Sequence, residues 1–409
     1  MRILIVTQYF WPENFRINDL VSGLVDRGHQ VTILTGKPNY PDGCVFSDFR
    51  KNPDDFSVYR NSQIVRVPML ARGRGDFRLA MNYLSFALSA SCIGLWRLRG
   101  KGFDAIFAYE PSPITVGIPA AVMRAVKKAP LAFWVLDLWP ETLEAIGMVR
   151  SKYLLKLVGG LVSAIYRRCD LILAQSKSFV GGIVKYAGNQ ARVEYFPSWA
   201  DSALSMQNVL PASEVPVKPG AFNILFAGNV GDAQDFPTIL SAAELLRDQP
   251  NIRWLIVGDG RQAEWVRSEI SIRGLQPNVL MLGRHPVERM PSFFKCADAL
   301  MVSLKDEPIF AMTIPGKLQA YLVSGIPILA MLNGEGANIV RRARAGLTCP
   351  AGDYEALAKA VLKLYGMSAE ERRAMGMNGV EMGALEFSRD KLIDQLEAWL
   401  ANLQLKVIK

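Results

Sequence analysis

The chain has 409 residues, of which half are hydrophobic and a fifth charged, so it can form two domains that bury their own cores without disulfides or structural metals. Its five cysteines are odd in number and show no Cys-x-x-Cys or metal-ligand spacing, which predicts a reducing, cytosolic compartment. The net charge of +9 falls entirely in residues 1–205, with 25 Lys and Arg against 16 Asp and Glu. This favours an anionic partner such as a membrane surface or a phosphorylated substrate, whereas the lack of any helix-turn-helix, zinc-finger, RNA-recognition or basic-zipper pattern disfavours nucleic acid.

The first 35 residues alternate strand, helix and strand. Arg2 to Thr7 is an apolar run of strand length, apolar residues then recur at helical spacing from Ile17 to Val25, and Gln30 to Thr35 is a second apolar run. Such a unit almost always builds a parallel sheet with right-handed crossovers, which predicts an α/β domain. The chain enters its first strand without a charged and apolar leader, so no signal peptide is expected.

The loop after the first strand, Gln8 to Arg16, is long and rich in Trp, Pro, Glu, Asn and Arg. Ligands of open parallel sheets bind outside the carboxyl ends of the strands, so this loop is expected to face the ligand. Its polar side chains Glu13, Asn14 and Arg16 are therefore candidate site residues. The loop contains no Gly-x-Gly-x-x-Gly motif, which disfavours a nicotinamide cofactor.

Residues 79–96 form an apolar segment of eighteen uncharged residues, diluted by Asn82 and several serines. This is the lower edge of membrane-spanning length. Basic residues flank both ends, namely Arg72, Arg74, Arg78, Arg97, Arg99 and Lys101. Three interpretations stay open: a helix buried in the first domain, which the dilution favours, a helix lying on a membrane with its basic flanks at the headgroups, and a membrane span.

Carboxylates follow two strands in the middle of the first half. The strand from Ala105 ends on Glu110, and the strand from Pro130 ends on Asp137, after which Trp139, a proline and Glu141 open a helix. Carboxylates at the carboxyl ends of central strands lie where this architecture does its chemistry. Glu141 fits a solvated acid at a helix start equally well. Asp137 has apolar neighbours on both sides and is harder to explain as a surface residue.

Residues 207–221 carry three prolines and little periodicity, which predicts a linker between two domains. Strand and helix alternation then resumes, and four successive strands run into loops that contain Gly or Pro. These loops begin at Gly228, Gly258, Gly283 and Met312. Small residues let backbone amides approach a phosphate or a base closely, so the four loops are expected to face one ligand.

The segment Met312 to Ala330 predicts a loop, a helix and a buried strand. Pro315 and Gly316 mark a turn, Lys317 opens the helix, and a glycine at position 325 fits its C-terminal cap. The unpaired N–H groups of a helix N-terminus, the Thr313 hydroxyl and the Lys317 ammonium are together what an anionic phosphate needs. An ordinary crossover with a solvated lysine explains the same pattern, so both interpretations stay open.

Several motifs together resemble the GT-B glycosyltransferases of family 4 across essentially the whole chain. They are RGHQVTILT at 27–35, the strand-end loops of the second half, and PGKLQAYLVSGIPILA at 315–330. WPENFRIN at 11–18, GKPNYPDG at 36–43 and DLWPE at 137–141 narrow the likeness to the fucosaminyl and fucosyl transferases of O-antigen and colanic acid synthesis.

The resemblance implies two Rossmann-like, doubly wound α/β domains that face each other across a cleft. Residues 1–206 would bind the acceptor, 207–221 would be the linker, 222–385 would bind a nucleotide sugar, and a C-terminal helix at 386–409 would pack back toward the first domain. It implies a retaining reaction, without metal ion or other cofactor, from a UDP- or GDP-linked fucose-type or N-acetylamino sugar to a polyprenyl-diphosphate-linked saccharide. The enzyme is expected in the cytoplasm, at the inner face of the cytoplasmic membrane.

The chain departs from the family pattern at several positions. Two glutamates, spaced eight apart, usually hold the sugar hydroxyls and the ribose, but their places fall on Met312 and Ala320. The usual Arg and Lys after the first strand of the second domain are Asn229 and Gln234, and the histidine often found before the first-domain aspartate is Leu136. Neutral side chains bond phosphate oxygens more weakly than cations do, so Lys317 and its neighbours would carry more of that task.

The family roles map onto two sets of residues. The donor diphosphate is expected to contact Asn229, Gly231, Gln234, Arg261, Thr313, Gly316 and Lys317, while His285 and its neighbours frame the base through main-chain groups. Asp137, Glu13 and Glu141 are candidates to orient or deprotonate the acceptor hydroxyl, and the acceptor is expected to contact Asn14, Arg16, Glu110 and Trp139. A nucleotide-sugar epimerase of the same fold and a non-catalytic nucleotide-sugar binder remain open alternatives.

Overall fold

The computed structural model describes residues 1–41, 43–73, 75–145, 147–149, 151–200, 206 and 209–408. The chain forms two compact units. Unit 1 comprises Met1–Pro197 and Asp390–Lys409, and unit 2 comprises Ser198–Arg389. The division falls ahead of the linker predicted at 207–221, of which residues 207 and 208 lie outside the described part of the chain.

Unit 1 is built on an eight-stranded sheet. Its strands are β1 (Arg2–Val6), β2 (Gln30–Thr35), β3 (Val58–Tyr59), β4 (Ser62–Arg66), β5 (Ala105–Glu110), β6 (Leu131–Val135), β7 (Leu171–Ala174) and β8 (Val193–Tyr195). They lie in the order β3-β4-β2-β1-β5-β6-β7-β8, and every neighbouring pair is parallel except the short β3/β4 hairpin at one edge. Strands β5 and β6 are completely buried, as expected of continuous apolar runs with helices on both faces.

The helices of unit 1 that precede unit 2 are α1 (Arg16–Asp26), α2 (Ser47–Lys51), α3 (Asp76–Arg97), α4 (Gly117–Lys127), α5 (Glu141–Ala145), α6 (Lys152–Tyr166) and α7 (Phe179–Ala187). Helix α3 packs on α4, α4 on α6, and α6 on α7. The connections through these four helices all run toward β8, and right-handed crossovers of one direction place their helices on one face of the sheet. We call these four helices the α3–α7 layer.

Helix α3 contains the apolar segment predicted at 79–96, and its two sides differ. Leu79, Phe86 and Ala90 are buried against the domain, whereas Phe77 and Leu88 are 78% and 68% exposed. A helix buried on all sides is therefore excluded. Within the described residues, Phe77–Arg97 is the one helix long and apolar enough to cross a membrane by length and composition. Of its basic flanks, the residue at position 74 lies outside the described part of the chain.

Unit 2 is built on a six-stranded, all-parallel sheet. Its strands are β9 (Phe222–Ala227), β10 (Ile252–Val257), β11 (Val279–Gly283), β12 (Ala299–Ser303), β13 (Ile328–Met331) and β14 (Gly346–Cys349). They lie in the order β11-β10-β9-β12-β13-β14. The order changes direction between β9 and β12, and a switch of this kind opens a ligand crevice at the carboxyl ends of the strands.

The helices of unit 2 are α8 (Phe236–Leu245), α9 (Ala263–Ile272), α10 (Met290–Phe294), α11 (Pro308–Met312), α12 (Gly316–Val323), α13 (Gly334–Ala343), α14 (Tyr354–Gly366) and α15 (Ala369–Glu386). Helix α12 is the one predicted after the Pro315-Gly316 turn. It ends where expected, because Gly325 follows it with φ +72°, a conformation that favours glycine.

The last helix, α16 (Arg389–Ile408), returns to unit 1. The Arg27 guanidinium donates to the Asp394 carboxylate at 2.8 and 2.6 Å, and the His29 ring lies 3.3 Å from the Glu397 carboxylate. Phe196 packs edge-on against Trp399, with ring centroids 6.1 Å apart. These contacts give His29, at the turn before β2, a structural environment.

Candidate active-site residues

In unit 2, the loops that follow β9, β10 and β11 are joined by main-chain hydrogen bonds. The Gly228 N–H donates to the Val257 carbonyl at 2.9 Å, the Val230 N–H to the Asp259 carbonyl at 2.9 Å, and the Gly258 N–H to the Gly283 carbonyl at 2.7 Å. The carboxyl ends of three adjacent strands therefore present one continuous main-chain surface.

Two glycines make this close approach possible. A Cβ atom at position 258 would lie 1.8 Å from the Gly228 carbonyl oxygen, and one at position 260 would lie 2.3 Å from the Val230 carbonyl oxygen. Gly258 also has φ +154°, which side chains other than hydrogen rarely allow. The small residues singled out in the sequence thus serve the packing of one loop on the next.

Asn229 and Gln234, predicted to contact phosphate, hold each other. The Gln234 side-chain carbonyl accepts the Gly231 N–H at 3.1 Å and the Asn229 amide at 3.3 Å. The Ser303 hydroxyl, at the end of β12, donates to the Gln234 main-chain carbonyl at 2.7 Å. This network fixes the shape of the loop after β9, and Asn229 remains exposed at its rim.

Lys317 is the second residue of α12, and its ammonium is buried without a hydrogen-bond partner among the described residues. The Nζ atom lies 3.6 Å from the centroid of the Phe226 ring and 3.2 Å from the position of a Cβ atom on Gly228. Burial lowers the pKa of Lys317 to about 7. The ring face offers some compensation, and an anion that accepts hydrogen bonds from the ammonium would compensate for its removal from water more fully.

The start of α12 adds unpaired donors next to this ammonium. Gly316 and Lys317 are the first two residues of the helix, and a helix leaves such N–H groups without internal partners. The Tyr321 hydroxyl accepts the Ala227 N–H at 3.0 Å, which fixes α12 against the end of β9. A cation, helix N–H groups and the loop Gly228–Gly231 therefore meet at one place.

Thr313, Arg261 and His285, also predicted to contact the donor, do not share the buried environment of Lys317. The Thr313 hydroxyl donates to the Ile309 carbonyl at 2.8 Å, and Arg261 is exposed. The His285 Nε2 atom lies 3.0 Å from the Leu282 carbonyl, and the ring packs on Phe293 with centroids 4.7 Å apart. The His285 side chain is thus used in packing. The main-chain groups of its loop are the ones that could contact a nucleotide base.

In unit 1, Glu110 and Asp137 lie together at the carboxyl ends of β5 and β6. The Asp137 N–H donates to a Glu110 carboxylate oxygen at 3.5 Å. Burial, followed by the nearby Asp137 carboxylate, raises the pKa of Glu110 well above its usual range, and burial raises the pKa of Asp137 to about 7. Adjacent carboxylates of this kind resist ionising together, so the pair holds a proton more firmly than isolated carboxylates do.

Several buried polar atoms around these carboxylates have no hydrogen-bond partner among the described residues. They are Glu110 Oε1, Tyr166 Oη, Trp139 Nε1, Thr142 Oγ1 and Glu141 Oε2. Burial raises the pKa of Tyr166 most, and the nearby carboxylates of Glu110, Glu141 and Asp137 raise it further. Buried polar groups without partners are costly, so a cluster of them points to a polar ligand or ordered water.

Sequence reasoning did not find Tyr166, Tyr109 or Tyr83 as neighbours of the acids. Tyr166 is the last residue of α6, and Tyr83 lies on α3, so nothing in the local pattern separates them from other aromatic core residues. The Asp137 carboxylate raises the pKa of Tyr83, after the larger effect of burial, which shows that the two groups are close in space.

Glu13, predicted as a catalytic candidate, joins two loops. One of its carboxylate oxygens accepts the Asn39 and Tyr40 N–H groups, both at 2.8 Å, and the other accepts the Phe10 N–H at 3.1 Å. Burial raises the pKa of Glu13 to about 7 despite these three bonds. The loops WPENFRIN and GKPNYPDG are thus held to each other by this side chain, and a role in proton transfer stays a prediction.

The remaining unit 1 candidates are dispersed. Asn14 is exposed, and Arg16 opens α1 near Tyr109, whose pKa the guanidinium lowers against the larger effect of burial. Trp139 is buried, so its ring supports the site from within. Glu141 accepts from the Lys185 ammonium at 3.0 Å and the Tyr186 hydroxyl at 3.1 Å. These contacts occupy one Glu141 oxygen and tie α5 to α7.

Two models of protein domains match the chain, one for each sheet. Residues 14–199 match the glycosyl transferase 4-like domain, and residues 221–367 match glycosyl transferases group 1. The chain is 24% identical over 348 residues to the putative colanic acid biosynthesis glycosyl transferase WcaI of Escherichia coli strain K12, covering 80% of this chain and 82% of the relative. It is 24% identical over 267 residues to the probable glycosyltransferase WbjE of Pseudomonas aeruginosa, covering 62% and 66%.

The fold is similar to that of Anabaena HepE, whose crystal structure contains UDP and glucose. The two structures superpose with a TM-score of 0.67 at 15% identity, over 98% of this chain and 99% of HepE. The likeness to HepE is a likeness of fold, whereas the two matched domain models identify the family. The protein is therefore a glycosyltransferase, and it belongs to the GT-B enzymes of family 4.

Proposed function

We propose that this glycosyltransferase moves a fucose-type or N-acetylamino sugar from a UDP- or GDP-linked donor to a polyprenyl-diphosphate-linked saccharide. The reaction would build a bacterial surface polysaccharide, retain the anomeric configuration and use no metal ion. Support comes from the relative WcaI, described as a colanic acid biosynthesis enzyme, and from HepE, solved with UDP and glucose. A cytoplasmic enzyme working at the inner face of the membrane is part of the same proposal.

The Lys317 ammonium carries the donor half of this proposal. It is buried, it has no hydrogen-bond partner among the described residues, and it lies at the N-terminus of α12 beside Gly228. A diphosphate placed there accepts from the ammonium and from the first N–H groups of the helix. As the bond between the anomeric carbon and the phosphate oxygen breaks, negative charge grows on the leaving nucleoside diphosphate. Fixed donors aimed at that charge lower the barrier.

The acceptor half rests on Asp137 and its neighbours. The acceptor hydroxyl bonds to the anomeric carbon and gives up its proton, and Asp137 is the proposed group that orients or receives it. A carboxylate with a pKa of about 7 is matched to that task near neutral pH. The buried polar atoms of Glu110 and Tyr166 suit a ligand rich in hydroxyl groups, such as a saccharide.

The test is incubation of the purified protein with UDP- and GDP-sugars, with and without a polyprenyl-diphosphate saccharide. Release of nucleoside diphosphate that depends on the acceptor, with a new glycosidic bond by mass spectrometry and retained configuration by NMR, is the expected result. A new sugar epimer formed without acceptor would identify an epimerase instead. Tight nucleotide-sugar binding without turnover in any mixture would identify a binder.

Membrane attachment through α3 completes the proposal. The exposed apolar side chains of α3, including Phe77, Met81, Leu84 and Leu88, recur every three or four residues and so form one stripe along the helix. Arginines flank both ends of the helix, and all of the net charge lies in this half of the chain. Such a helix suits a position in the headgroup region, where an acceptor with a lipid tail would be found.

A further inference from the structure

Helix α6 carries a second exposed apolar surface, which packs on neither sheet. Tyr153, Leu154 and Leu157 are 90%, 44% and 71% exposed, while Val162 and Ile165 of the same helix are buried against the domain. Tyr153 and Leu157 lie one helical turn apart, and Gly160, also exposed, continues the same side. A helix of fifteen residues thus presents apolar groups on both its inner and its outer side.

The charged residues of α6 and of its C-terminal end are all basic. Lys152 and Lys156 are exposed beside Tyr153 and Leu157, and Arg167 and Arg168 are exposed just beyond the helix end. The sequence has no Asp or Glu from residue 151 to residue 169. A helix side that carries apolar and cationic side chains complements an anionic, amphipathic partner.

The same charge pattern extends across the α3–α7 layer. Helix α4, which lies between α3 and α6, contains no Asp or Glu and has Val126 58% exposed. Helix α3 contains a single acid, Asp76, and carries its own exposed apolar stripe. Three helices of one layer, α3, α4 and α6, therefore show exposed apolar groups among mainly basic charged residues. This coincidence is what separates α6 from isolated surface leucines elsewhere.

We propose that the outer side of α6 is a second contact with an anionic phospholipid surface, and that α3 and α6 bind the bilayer together. The inference deepens the proposed function, because it places the acceptor-binding unit at the membrane by two helices instead of one. Tyrosine and leucine would enter the headgroup boundary, and the lysines would keep their ammonium groups among the lipid phosphates.

A lipid surface fits α6 better than a second copy of the chain does. Two copies meeting through this side would bring at least four lysine ammonium groups together without an acid from the same helix. Like charges at an interface oppose association, whereas anionic lipid headgroups attract each of them. Two linked contacts also multiply their affinities, so a modest contribution from α6 would have a large effect on attachment.

The first experiment compares a double variant, Tyr153→Ser with Leu157→Ser, with the wild-type protein by co-sedimentation with vesicles. The vesicles contain phosphatidylglycerol and phosphatidylethanolamine, and vesicles of phosphatidylcholine alone serve as the neutral comparison. We expect the partition coefficient on anionic vesicles to fall about tenfold, because the two side chains lose their apolar contact. Lys152→Gln with Lys156→Gln should lower it by about fivefold per charge and remove part of its salt dependence.

Val217→Ser is the matched control, since Val217 is 95% exposed and lies in unit 2. It should leave vesicle binding unchanged. The substituted positions on α6 are all exposed, so the variants are expected to fold, and thermal unfolding followed by circular dichroism checks this. Wild-type partitioning of the Tyr153→Ser, Leu157→Ser protein would overturn the proposal. So would a wild-type dimer in light scattering that this double variant dissociates while vesicle binding stays unchanged.

A second readout does not depend on loss of binding. An environment-sensitive fluorophore at Leu157→Cys, in a chain with Cys44 and Cys92 replaced by Ser, should brighten and shift to the blue on anionic vesicles. The same label at Val217→Cys should not respond. An unchanged spectrum at position 157 would contradict membrane contact. These measurements need no catalysis, so failure of the glycosyltransfer assays would reject the proposed function and leave the α6 inference standing.

Discussion

Both units bury ionisable side chains at the carboxyl ends of their parallel strands, but the buried charges are opposite. In unit 2, the Lys317 ammonium has a pKa lowered to about 7, and in unit 1 the pKa values of Glu110 and Asp137 are raised. In each case burial disfavours the charged form. We therefore expect an added anion to stabilise unit 2, and a neutral ligand that donates hydrogen bonds to stabilise unit 1.

Removing the carboxylate of Asp137 is the strongest way to break the unit 1 side of this comparison. We expect Asp137→Asn to lower turnover by about a hundredfold to ten-thousandfold, the usual range for losing a general base. The measurement is steady-state kinetics with the lipid-linked acceptor, while donor binding is followed by calorimetry. Donor affinity should stay close to wild type, because the substitution leaves unit 2 untouched. A variant with wild-type turnover would remove Asp137 from the mechanism.

Removing the charge of Lys317 tests the unit 2 side. Lys317→Met keeps the length of the side chain, and a charged hydrogen bond is worth about 1.5 to 3 kcal/mol, so donor KM and turnover together should worsen by about tenfold to a hundredfold. Because the native protein buries the ammonium at a cost, the variant should unfold at the same or a higher temperature than wild type. Wild-type kinetics in this folded variant would remove the centre of the donor site.

The pH dependence sharpens the comparison, because the two groups act in opposite directions. Asp137 must lose its proton to act as a base, so kcat/KM should rise with pH up to about 7. Lys317 must be protonated to attract phosphate, so the affinity for a nucleotide sugar should fall above about 7, by at most about tenfold per pH unit. The pH dependence of kcat/KM measures the acidic limb, and calorimetry of nucleotide-sugar binding at several pH values measures the alkaline limb. Calorimetry in buffers of different ionisation enthalpy also measures the proton taken up on binding.

Matched variants assign the two limbs. Asp137→Asn should flatten the acidic limb alone, and Lys317→Arg, which keeps its charge at every pH used, should flatten the alkaline limb alone. The pH dependence of the stability of the unliganded protein tests the direction of the Lys317 pKa shift independently. The pKa of Lys317 is lower in the folded chain than in the unfolded chain, so the unfolded chain binds more protons above about pH 7, and stability should rise between about pH 7 and 10. Limbs that persist in both variants would assign the titration elsewhere.

The basic flanks of α3 give the smallest expected effect. Replacing Arg72, Arg74, Arg78, Arg97 and Arg99 by Gln should lower activity on a long-chain lipid acceptor by about tenfold, since only those near the surface contribute. Activity on a short, water-soluble analogue should change little, and vesicle binding should weaken with salt in the wild type. Equal losses on both acceptors would mean that these arginines support the fold and not the membrane contact.

Much of the fold could be predicted from local pattern. Apolar runs of strand length, helical spacing between them and glycine loops at the strand ends define two parallel sheets, because such connections have one hand and one common edge for carboxyl ends. The same rule predicts that the carboxylates at the ends of central strands share one edge of the sheet, and Glu110 lies beside Asp137 because β5 and β6 are neighbours. It also brought the loop at Gly228 to the helix that starts at Gly316.

Local pattern could not predict which side chains are already occupied. Glu13 lies in a loop whose composition suits a ligand site. One of its carboxylate oxygens nevertheless accepts the N–H groups of Asn39 and Tyr40, in a loop more than twenty residues away. Tyr166 carries no signal in its own helix, and its unpartnered hydroxyl lies in the electrostatic reach of carboxylates from other elements. Such contacts depend on how separate elements pack, and sequence spacing does not encode them.

The sequence by itself determined the architecture and the strand ends where we expect ligands to bind, because strand periodicity, turn residues and helix starts are local properties. It also determined that the first half is basic. Only the tertiary structure decided that the Lys317 ammonium is enclosed over the Phe226 ring without a hydrogen-bond partner among the described residues, since these residues come from different strands and helices. It also decided which sides of α3 and α6 stay exposed. Burial is a property of the packed chain, and burial sets both the pKa values and the surfaces left for a membrane.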